Sequence, residues 1–206
     1  MATRYKTVKR LMNLMSIYAV YPKANLSKRN FKESIVPCLL RNYAINFTNQ
    51  VWSIDITNIP MPAGHMYLTA IIDWYSRKIV GHYLSNTLDT ESVIHTVKEA
   101  VAMHGIPAIL NSDQGGQFTS AEYKALLKDL QIRQSMDGKS RWADNIMIEC
   151  WFRSLKTEQI YPNEYHSPKE LRKLIGDYVH AYNTERPHGA LEYAIPDAVY
   201  YGMFAA

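Results

Sequence analysis

The sequence predicts an α/β fold in which a mixed five-stranded sheet carries helices on its faces. Three strand-like runs come first, in residues 51–85, and helix-like and strand-like segments alternate in residues 90–136. Strands joined by a short turn pair antiparallel, whereas strands joined through a helix are typically parallel. A chain with both kinds of connection therefore favours a mixed sheet.

Each predicted strand is an apolar run bounded by turn residues. Residues 65–73 and 77–85 are separated only by the turn 74–76, which predicts an antiparallel pair. The five predicted strands are residues 51–57, 65–73, 77–85, 108–111 and 132–136.

The predicted helices follow from their start and stop signals. Thr90 and Ser120 are candidate N-caps, Gly105 is a stop signal, and Pro168 suits the first turn of a helix. The predicted helices are residues 7–18, 90–103, 121–130, 144–159 and 168–184, followed by a short aromatic-rich tail over 191–204.

The first 50 residues are strongly basic. They carry nine Lys or Arg residues and one acid, Glu33, in a chain whose formal net charge is +4, so residues 51–206 are net acidic. This asymmetry predicts an arm that binds a polyanion, the alternative being a soluble leader with no such role. Residues 7–18 predict an amphipathic basic helix, with Lys9 and Arg10 as candidate DNA contacts. The predicted organisation is a basic helix over 1–22 that is the remnant of a helix-turn-helix, a linker over 23–50, and a core with a C-terminal helix and tail over 51–206.

The composition argues against several classes of protein. Cys38 and Cys150 are the only cysteines, too few for a disulfide framework or a four-cysteine zinc site. The sequence contains no apolar run of roughly 18 residues, the length a transmembrane helix needs, and its basic start lacks the apolar stretch of a secretory signal. We therefore expect a cytoplasmic protein.

Three acids occupy positions from which they can meet. Asp55 lies within an apolar predicted strand, where an ionised carboxylate needs compensation. Asp113 follows the predicted strand 108–111 in a glycine-rich turn, and Glu149 comes after 35 intervening residues on a predicted helix. Lys156 follows Glu149 by seven residues, on nearly the same helical face. Acids within a strand, after a neighbouring strand and on a covering helix can converge at one edge of the sheet.

Each acid alone also has an ordinary structural explanation. Asp55 could pair with a distant arginine, Asp113 could serve only as a turn residue beside Gly115, and Glu149 could be a solvated helical acid. Asp73 ends a predicted strand just before a turn, and we interpret it as structural.

As a set, three carboxylates suit a divalent metal site. Hard oxygen ligands favour Mg²⁺ or Mn²⁺, and zinc is disfavoured because cysteine and histidine ligands are lacking. Two such ions about 3.5–4 Å apart stabilise the attacking and leaving oxygens of a phosphoryl displacement. The acids therefore predict metal-dependent chemistry on a phosphodiester.

The order of several short segments resembles a known family. The chain is similar to the second-frame product (OrfB) of bacterial insertion-sequence transposases of the IS-three family, within the DDE transposase and retroviral integrase superfamily. The segments that carry this resemblance are residues 52–57, 67–78, 112–118, 135–138, 144–145 with Glu149, 155–158 and 182–188.

The resemblance implies a ribonuclease-H-like fold and a reaction. In such a fold Asp55, Asp113 and Glu149 would hold two Mg²⁺ ions, with Mn²⁺ as a substitute, and Lys156 would lie near the DNA end. The reaction would be hydrolytic nicking at the 3′ ends of an element, followed by attack of the freed 3′-hydroxyl on another phosphodiester. The residues expected to contact DNA phosphates are Lys139, Arg141, Arg153 and Lys156.

The resemblance also implies partners. These are the DNA of the element's terminal repeats and of the target, the first-frame product (OrfA), and further copies of the chain on DNA. Gly116 stands where many relatives carry Ser, and relatives usually have a longer helical region before residues 8–23. Two alternatives stay open: a ribonuclease-H-like nuclease that cuts without joining, and a truncated, catalytically idle fragment that only binds DNA or partner subunits.

Overall fold

The computed structural model describes residues 5–15, 36–41, 43–137 and 145–203. The chain divides into two compact units, Met1–Glu33 and Ser34–Ala206. In the first unit, helix α1 spans Tyr5–Leu14, where the basic helix is predicted. Arg10 is exposed on this helix. The predicted end of the helix at residues 16–18 and the side chain of Lys9 lie outside the described part of the chain.

The second unit is built on a mixed five-stranded sheet of order β3-β2-β1-β4-β5, as predicted. β1 pairs antiparallel with β2, and β2 pairs antiparallel with β3, because short turns connect them. β4 is parallel to both β1 and β5, because a helix precedes each of these pairings along the chain. The strands are β1 Val51–Met61, β2 Gly64–Asp73, β3 Ile79–Ser85, β4 Ile109–Ser112 and β5 Arg133–Met136.

Helices cover both faces of the sheet, which confirms the predicted layers. Alternate residues of a strand face opposite sides, so Trp52 and Ile54 of β1 join one hydrophobic core with helices α2 and α4. Leu68 and Ala70 of β2 join a second core on the other face with α5 and α6. The helices are α2 Thr90–His104, α3 Gly116–Thr119, α4 Ala121–Asp129, α5 Ile146–Leu155, α6 Pro168–Thr184 and α7 Pro196–Tyr200.

The helix starts agree with the predicted signals except at α2. Ser120 accepts a hydrogen bond from the Tyr123 backbone N–H at 3.2 Å, as predicted for an N-cap. At α2 the prediction was wrong by one residue, because Asp89 is the N-cap. Its carboxylate accepts from the backbone N–H of Ser92 at 2.9 Å and from the Ser92 hydroxyl at 2.6 Å.

The predicted aromatic tail contains a helix that the sequence did not indicate. This helix, α7, is fixed to the residue just before β3 by a contact between the Lys78 ammonium and the Asp197 carboxylate. The Lys78 ammonium also lies 5.0 Å from the ring centre of Tyr201, within the range of a cation–π contact. Five residues are too few for a recognisable helical period, so only the folded chain reveals this element.

Residues before the predicted core also pack on the sheet. Leu40 is buried in a small apolar cluster with Val51 and Ile109. The Leu39 backbone N–H donates to the hydroxyl of Ser135 at 3.0 Å. The predicted linker over 23–50 therefore crosses the sheet surface in its described part, while its role as a linker stays a prediction.

Candidate active site

Strands β1 and β4 carry Asp55 and Asp113 to the same region. The two strands are parallel, and Ser53 is paired with Asn111. Asp55 follows Ser53 by two residues within β1, and Asp113 directly follows the last residue of β4, Ser112. Both acids therefore lie just beyond the end of the paired segment. On β2 the partner of Asp55 is Ala70, which lies in the core beneath α5 and α6.

Helix α5 lies over this face and carries Glu149. It packs there because its apolar stripe is buried, with Ile148 and Leu155 fully covered. Glu149 is exposed in the first turn of the helix. Asp55 and Glu149 line one cavity of about 320 Å³, whose remaining walls are Thr57, Phe152, Arg153, Lys156, Thr157 and Tyr161.

Asp55 sits in an environment that opposes its negative charge. Burial raises the pKa of its carboxyl to about 7, and the charges of Asp113, Glu149 and Asp137 act in the same direction. A hydrogen bond from the Ile56 backbone N–H, at 2.8 Å, partly offsets this rise. The effect of the three other carboxylates on this pKa means that all four acids form one electrostatic group.

Asp113 directs one carboxylate oxygen into its own turn. Its Oδ1 accepts a hydrogen bond from the Gly115 backbone N–H at 2.7 Å, the arrangement of an Asx turn. A Cβ on Gly115 would lie 2.7 Å from this oxygen, so a larger residue there would displace the Asp113 carboxylate. A Cβ on Gly116 would meet nothing within 4 Å, so the serine of many relatives would fit at that position.

Asp137 is a fourth acid at this edge that the sequence reasoning missed. It follows β5 as Asp113 follows β4, because Ser112 and Met136 are paired. The Asp137 carboxylate accepts a hydrogen bond from the side-chain amide of Asn111 at 2.8 Å. Its backbone carbonyl accepts one from the side-chain amide of Gln114 at 2.8 Å. No role of its own is predicted for Asp137 from the sequence, although the segment 135–138 is part of the family resemblance. The signal was an acid placed directly after a predicted strand at the same edge as Asp113.

The carboxylates do not form a closed ligand cluster in this structure. Within the described ranges, no group of three or more His, Cys, Asp or Glu side chains is placed to hold a metal ion. Like charges repel, so carboxylates that share a site stay apart or gain protons unless a cation compensates them. Asp55 and Glu149 share a cavity and Asp113 ends the adjoining strand, and their role as joint ligands stays a prediction.

Comparison with known proteins identifies the family. Two integrase core domain models match residues 46–141 and 130–196. The transposase for insertion sequence element IS904 of Lactococcus lactis is 34% identical over 94% of this chain and 79% of its own length. The putative transposase InsK of the element IS150 of Escherichia coli is 30% identical over 88% of this chain and 66% of its own length. The chain belongs to the insertion-sequence transposases.

The fold of the transposase is that of retroviral integrase cores. The catalytic core domain of HTLV-2 integrase superposes with a TM-score of 0.60 at 16% sequence identity, covering 75% of this chain and 97% of that domain. This likeness confirms the expected ribonuclease-H-like fold. In the described part of the transposase, no helix is long and apolar enough to cross a bilayer.

The expected DNA contacts of the transposase fall into two groups. Lys156 and Arg153 line the cavity beside Asp55 and Glu149, and partial burial lowers the pKa of the Lys156 ammonium. Lys139 and Arg141 lie outside the described residues. The contacts with DNA themselves stay predictions for all the basic residues, including Lys9 and Arg10.

Asp73 has the structural role that we expected. Its Oδ1 accepts from the backbone N–H and the hydroxyl of Ser76 at 2.8 and 2.7 Å, and its Oδ2 accepts from the Asn49 backbone N–H at 2.8 Å. The carboxylate therefore closes the turn between β2 and β3 and ties it to the chain before β1.

The motif over residues 182–188 is also structural in the transposase. The buried side chain of Asn183 accepts from the Ile79 backbone N–H at 2.9 Å and donates to the Ile79 carbonyl at 3.0 Å, which ties α6 to β3. Arg186 forms a bidentate contact with the Glu158 carboxylate. The ring of His188 packs edge-on against Tyr182, with 4.7 Å between ring centres.

Proposed function

We propose that this transposase is a DDE-type polynucleotidyl transferase that cleaves DNA at the 3′ ends of an insertion sequence and joins those ends to target DNA. The observation that carries the proposal is the cavity in which Asp55 and Glu149 face Lys156 and Arg153. Asp113 supports it from the end of the strand next to β1. A cleft lined by both carboxylates and cationic side chains suits a phosphodiester. The cations can hold the phosphate, and the carboxylates can hold the metal ions beside it.

The proposed metal ligands are Asp55, Asp113 and Glu149, and the chemistry of this donor set fits Mg²⁺ or Mn²⁺. All three donors are carboxylates, which these hard cations prefer. Two divalent ions would supply activation of the attacking oxygen and stabilisation of the leaving oxygen. The HTLV-2 integrase core, which shares the fold, was solved in complex with magnesium.

The side chains of the cavity would bind and orient the DNA around the metal site. Lys156 and Arg153 would bind non-bridging phosphate oxygens and orient the scissile bond, and such contacts carry no sequence information. Asp55, whose pKa is about 7, would become fully ionised when positive charge enters the site. Because water or a DNA 3′-hydroxyl is the nucleophile, the chain need not supply a nucleophilic Ser, Tyr or Cys.

The proposed partners are DNA and further copies of the chain. Transposition requires two element ends to be held together, so we propose an oligomer on DNA. The HTLV-2 integrase core in its dimeric form offers a parallel. We further propose that the basic N-terminal helix, with Lys9 and Arg10, contacts DNA, and that the first-frame product assists recognition of the element's ends.

One incubation separates the candidate activities. The protein is incubated with Mn²⁺ and a labelled duplex of an element end, and the products are resolved on a denaturing gel. Joined products support the transferase, and cut but unjoined products indicate a nuclease. A shifted band on a native gel without either product indicates an idle fragment. The absence of a preformed ligand cluster among the described residues is the observation that keeps this last alternative in the test.

The substitution Asp113→Asn tests the assignment of the acids. It should abolish cutting and joining while leaving DNA binding intact, because the amide keeps the size of the side chain and the turn acceptor but loses the charge. Asp129→Asn is the matched control, since Asp129 is an exposed aspartate at the end of α4. Retained cutting by Asp113→Asn would refute its role as a ligand.

A further inference from the structure

Tyr161 stands at the junction of the acidic cavity and a second groove. Tyr161 is 64% exposed, so its ring is accessible to a ligand. It lines the cavity that contains Asp55, Glu149 and Lys156. It also lines a groove of about 450 Å³ whose other walls are Pro60, Met61, Pro62, Ile160, Asn163, Glu164, Tyr165 and His166.

A π-helical turn sets the direction of the Tyr161 side chain. Helix α5 continues into a π-helix over Lys156–Ile160, and the Tyr161 backbone N–H donates to the Lys156 carbonyl at 2.8 Å. In this i→i+5 pattern Tyr161 lies one full turn beyond Lys156, on the same face. In a regular α-helix that place would fall to residue 159 or 160. The π-turn therefore turns an aromatic ring, instead of Gln159 or Ile160, toward the acidic cavity.

The groove beyond Tyr161 has fixed walls. The Tyr165 hydroxyl donates to the Pro60 carbonyl at 2.7 Å, which ties the end of β1 to the segment after the π-helix. Ile160 is buried in the hydrophobic core beneath it. Proline backbones and anchored rings have little freedom to lose on binding, so the groove is preorganised for a flat, apolar ligand.

We propose that this groove receives an unstacked nucleobase of the DNA strand whose phosphate lies at the acidic cavity, with Tyr161 as the ring on which the base stacks. This inference rests on the proposed function. Lys156 and Arg153 would hold the phosphate, and one helical turn further Tyr161 offers its exposed face to the attached base. Single-strand sites combine cations for the backbone with aromatic platforms for the bases in this way.

The position of the groove next to the acidic cavity favours a nucleobase over an apolar protein segment. The groove adjoins the cavity where the proposed substrate would lie, because Tyr161 lines both. A strand held by Lys156 therefore reaches the groove within one nucleotide, whereas a protein segment would compete with the substrate. Stacking is tolerant of base identity, so Tyr161 would act as a positioning residue and would not select a sequence.

The test measures binding without chemistry. In an Asp113→Asn background, which removes cleavage, the affinity for an oligothymidine single strand and for a blunt duplex is measured by fluorescence anisotropy at fixed ionic strength. Tyr161→Ala should weaken single-strand binding about 5- to 150-fold, the loss typical of one stacked base, and should weaken duplex binding less. Tyr161→Phe keeps the ring and should bind within about twofold of the parent, since stacking needs only the aromatic face.

A control variant and a fluorescence measurement test the stacking role of Tyr161 further. Tyr193→Ala, at a 79% exposed tyrosine, should leave both affinities unchanged. Tyr161→Trp should show quenching of its indole fluorescence when the oligothymidine binds. Equal affinities for Tyr161→Ala and Tyr193→Ala, or an equal loss for Tyr161→Phe and Tyr161→Ala, would overturn the stacking role. A changed oligomeric state of Tyr161→Ala by light scattering, with DNA affinity unchanged, would overturn it in favour of a second copy of the chain.

The test of the base site and the test of the proposed activity can fail independently. If the wild-type protein neither cuts nor joins DNA in Mn²⁺, but Tyr161→Ala loses single-strand binding and Tyr161→Phe keeps it, the proposed activity fails and the base site stands. If the wild-type protein is active and the variants bind normally, the activity stands and the base site fails.

Discussion

Removing the charge of Asp55 should stabilise the metal-free protein. The same change should abolish cutting and joining of DNA when metal is present. Burial raises the pKa of the half-buried Asp55 carboxyl to about 7, and the charges of Asp113, Glu149 and Asp137 add to the rise. Asp55→Asn keeps the shape of the side chain and the oxygen that accepts from the Ile56 backbone N–H. The substitution therefore removes an unfavourable charge without removing a hydrogen bond, which predicts a higher free energy of unfolding.

The size of this effect follows from the pKa difference. The Asp55 carboxyl has a pKa of about 7 in the folded chain and about 4 in an unfolded chain, and each unit corresponds to about 1.4 kcal/mol. This gives an upper value of about 4 kcal/mol, and partial solvent access reduces the expectation to about 1–3 kcal/mol. Below about pH 4 both states are protonated, so the substitution should gain nothing there. The gain should grow from about pH 4 to pH 7 and stay constant above it.

The assay is urea unfolding in EDTA, followed by circular dichroism, from about pH 4 to pH 8. Asp73→Asn is the comparison variant: burial also raises the pKa of the Asp73 carboxyl, but this carboxylate accepts three hydrogen bonds that Asn cannot fully keep. It should destabilise the protein by about 1–3 kcal/mol, since an amide NH₂ then faces a donor. Mg²⁺ should stabilise the wild-type protein and not Asp55→Asn. An Asp55→Asn variant that is less stable than wild type in EDTA at pH 7 would refute the electrostatic description of the site.

Two further predictions concern the fold and the DNA contacts. Asn183→Ala should lower the free energy of unfolding by about 2–4 kcal/mol in urea titrations, because it leaves the buried Ile79 N–H and carbonyl without these partners; a loss below about 1 kcal/mol would contradict the bridging role. Lys156→Ala should weaken duplex binding and lower the slope of log affinity against log salt by about one. Lys128→Ala, at an exposed lysine of α4, should leave that slope unchanged, and an equal change in both variants would argue against a phosphate contact at Lys156.

The sheet could be predicted from the sequence because its signals are local. Apolar runs bounded by turns located the five strands of the sheet. Strands connected by a short turn were predicted to be antiparallel, and strands connected through a helix were predicted to be parallel. The same reasoning placed Asp55, Asp113 and Glu149 on the elements that carry them, since the position of an acid within a strand or helix is visible in the sequence.

The features that were missed depend on contacts distant in sequence. Helix α7 is short and is fixed by the contact of Asp197 with Lys78, more than a hundred residues earlier. Asp137 lies near Asp113 because β5 is parallel to β4 and Met136 is paired with Ser112. The apolar pattern of residues 132–136 does not show this register. The π-helical turn that directs Tyr161 has no sequence signature that we could use, because its hydrogen bonds reach only one residue further than those of an α-helix. The orientation of the Asp113 carboxylate toward Gly115 is likewise a matter of local geometry.

The central claim is that Asp55, Asp113 and Glu149 jointly hold divalent metal. A crystal structure of the wild-type protein soaked with Mn²⁺, with data collected at the manganese absorption edge, tests it most directly. We expect anomalous peaks in the cavity between Asp55 and Glu149, with a carboxylate oxygen of Asp113 turned away from Gly115 to coordinate manganese. Manganese bound elsewhere, or a Glu149 carboxylate paired with Arg153 beside a cavity without an anomalous peak, would contradict it.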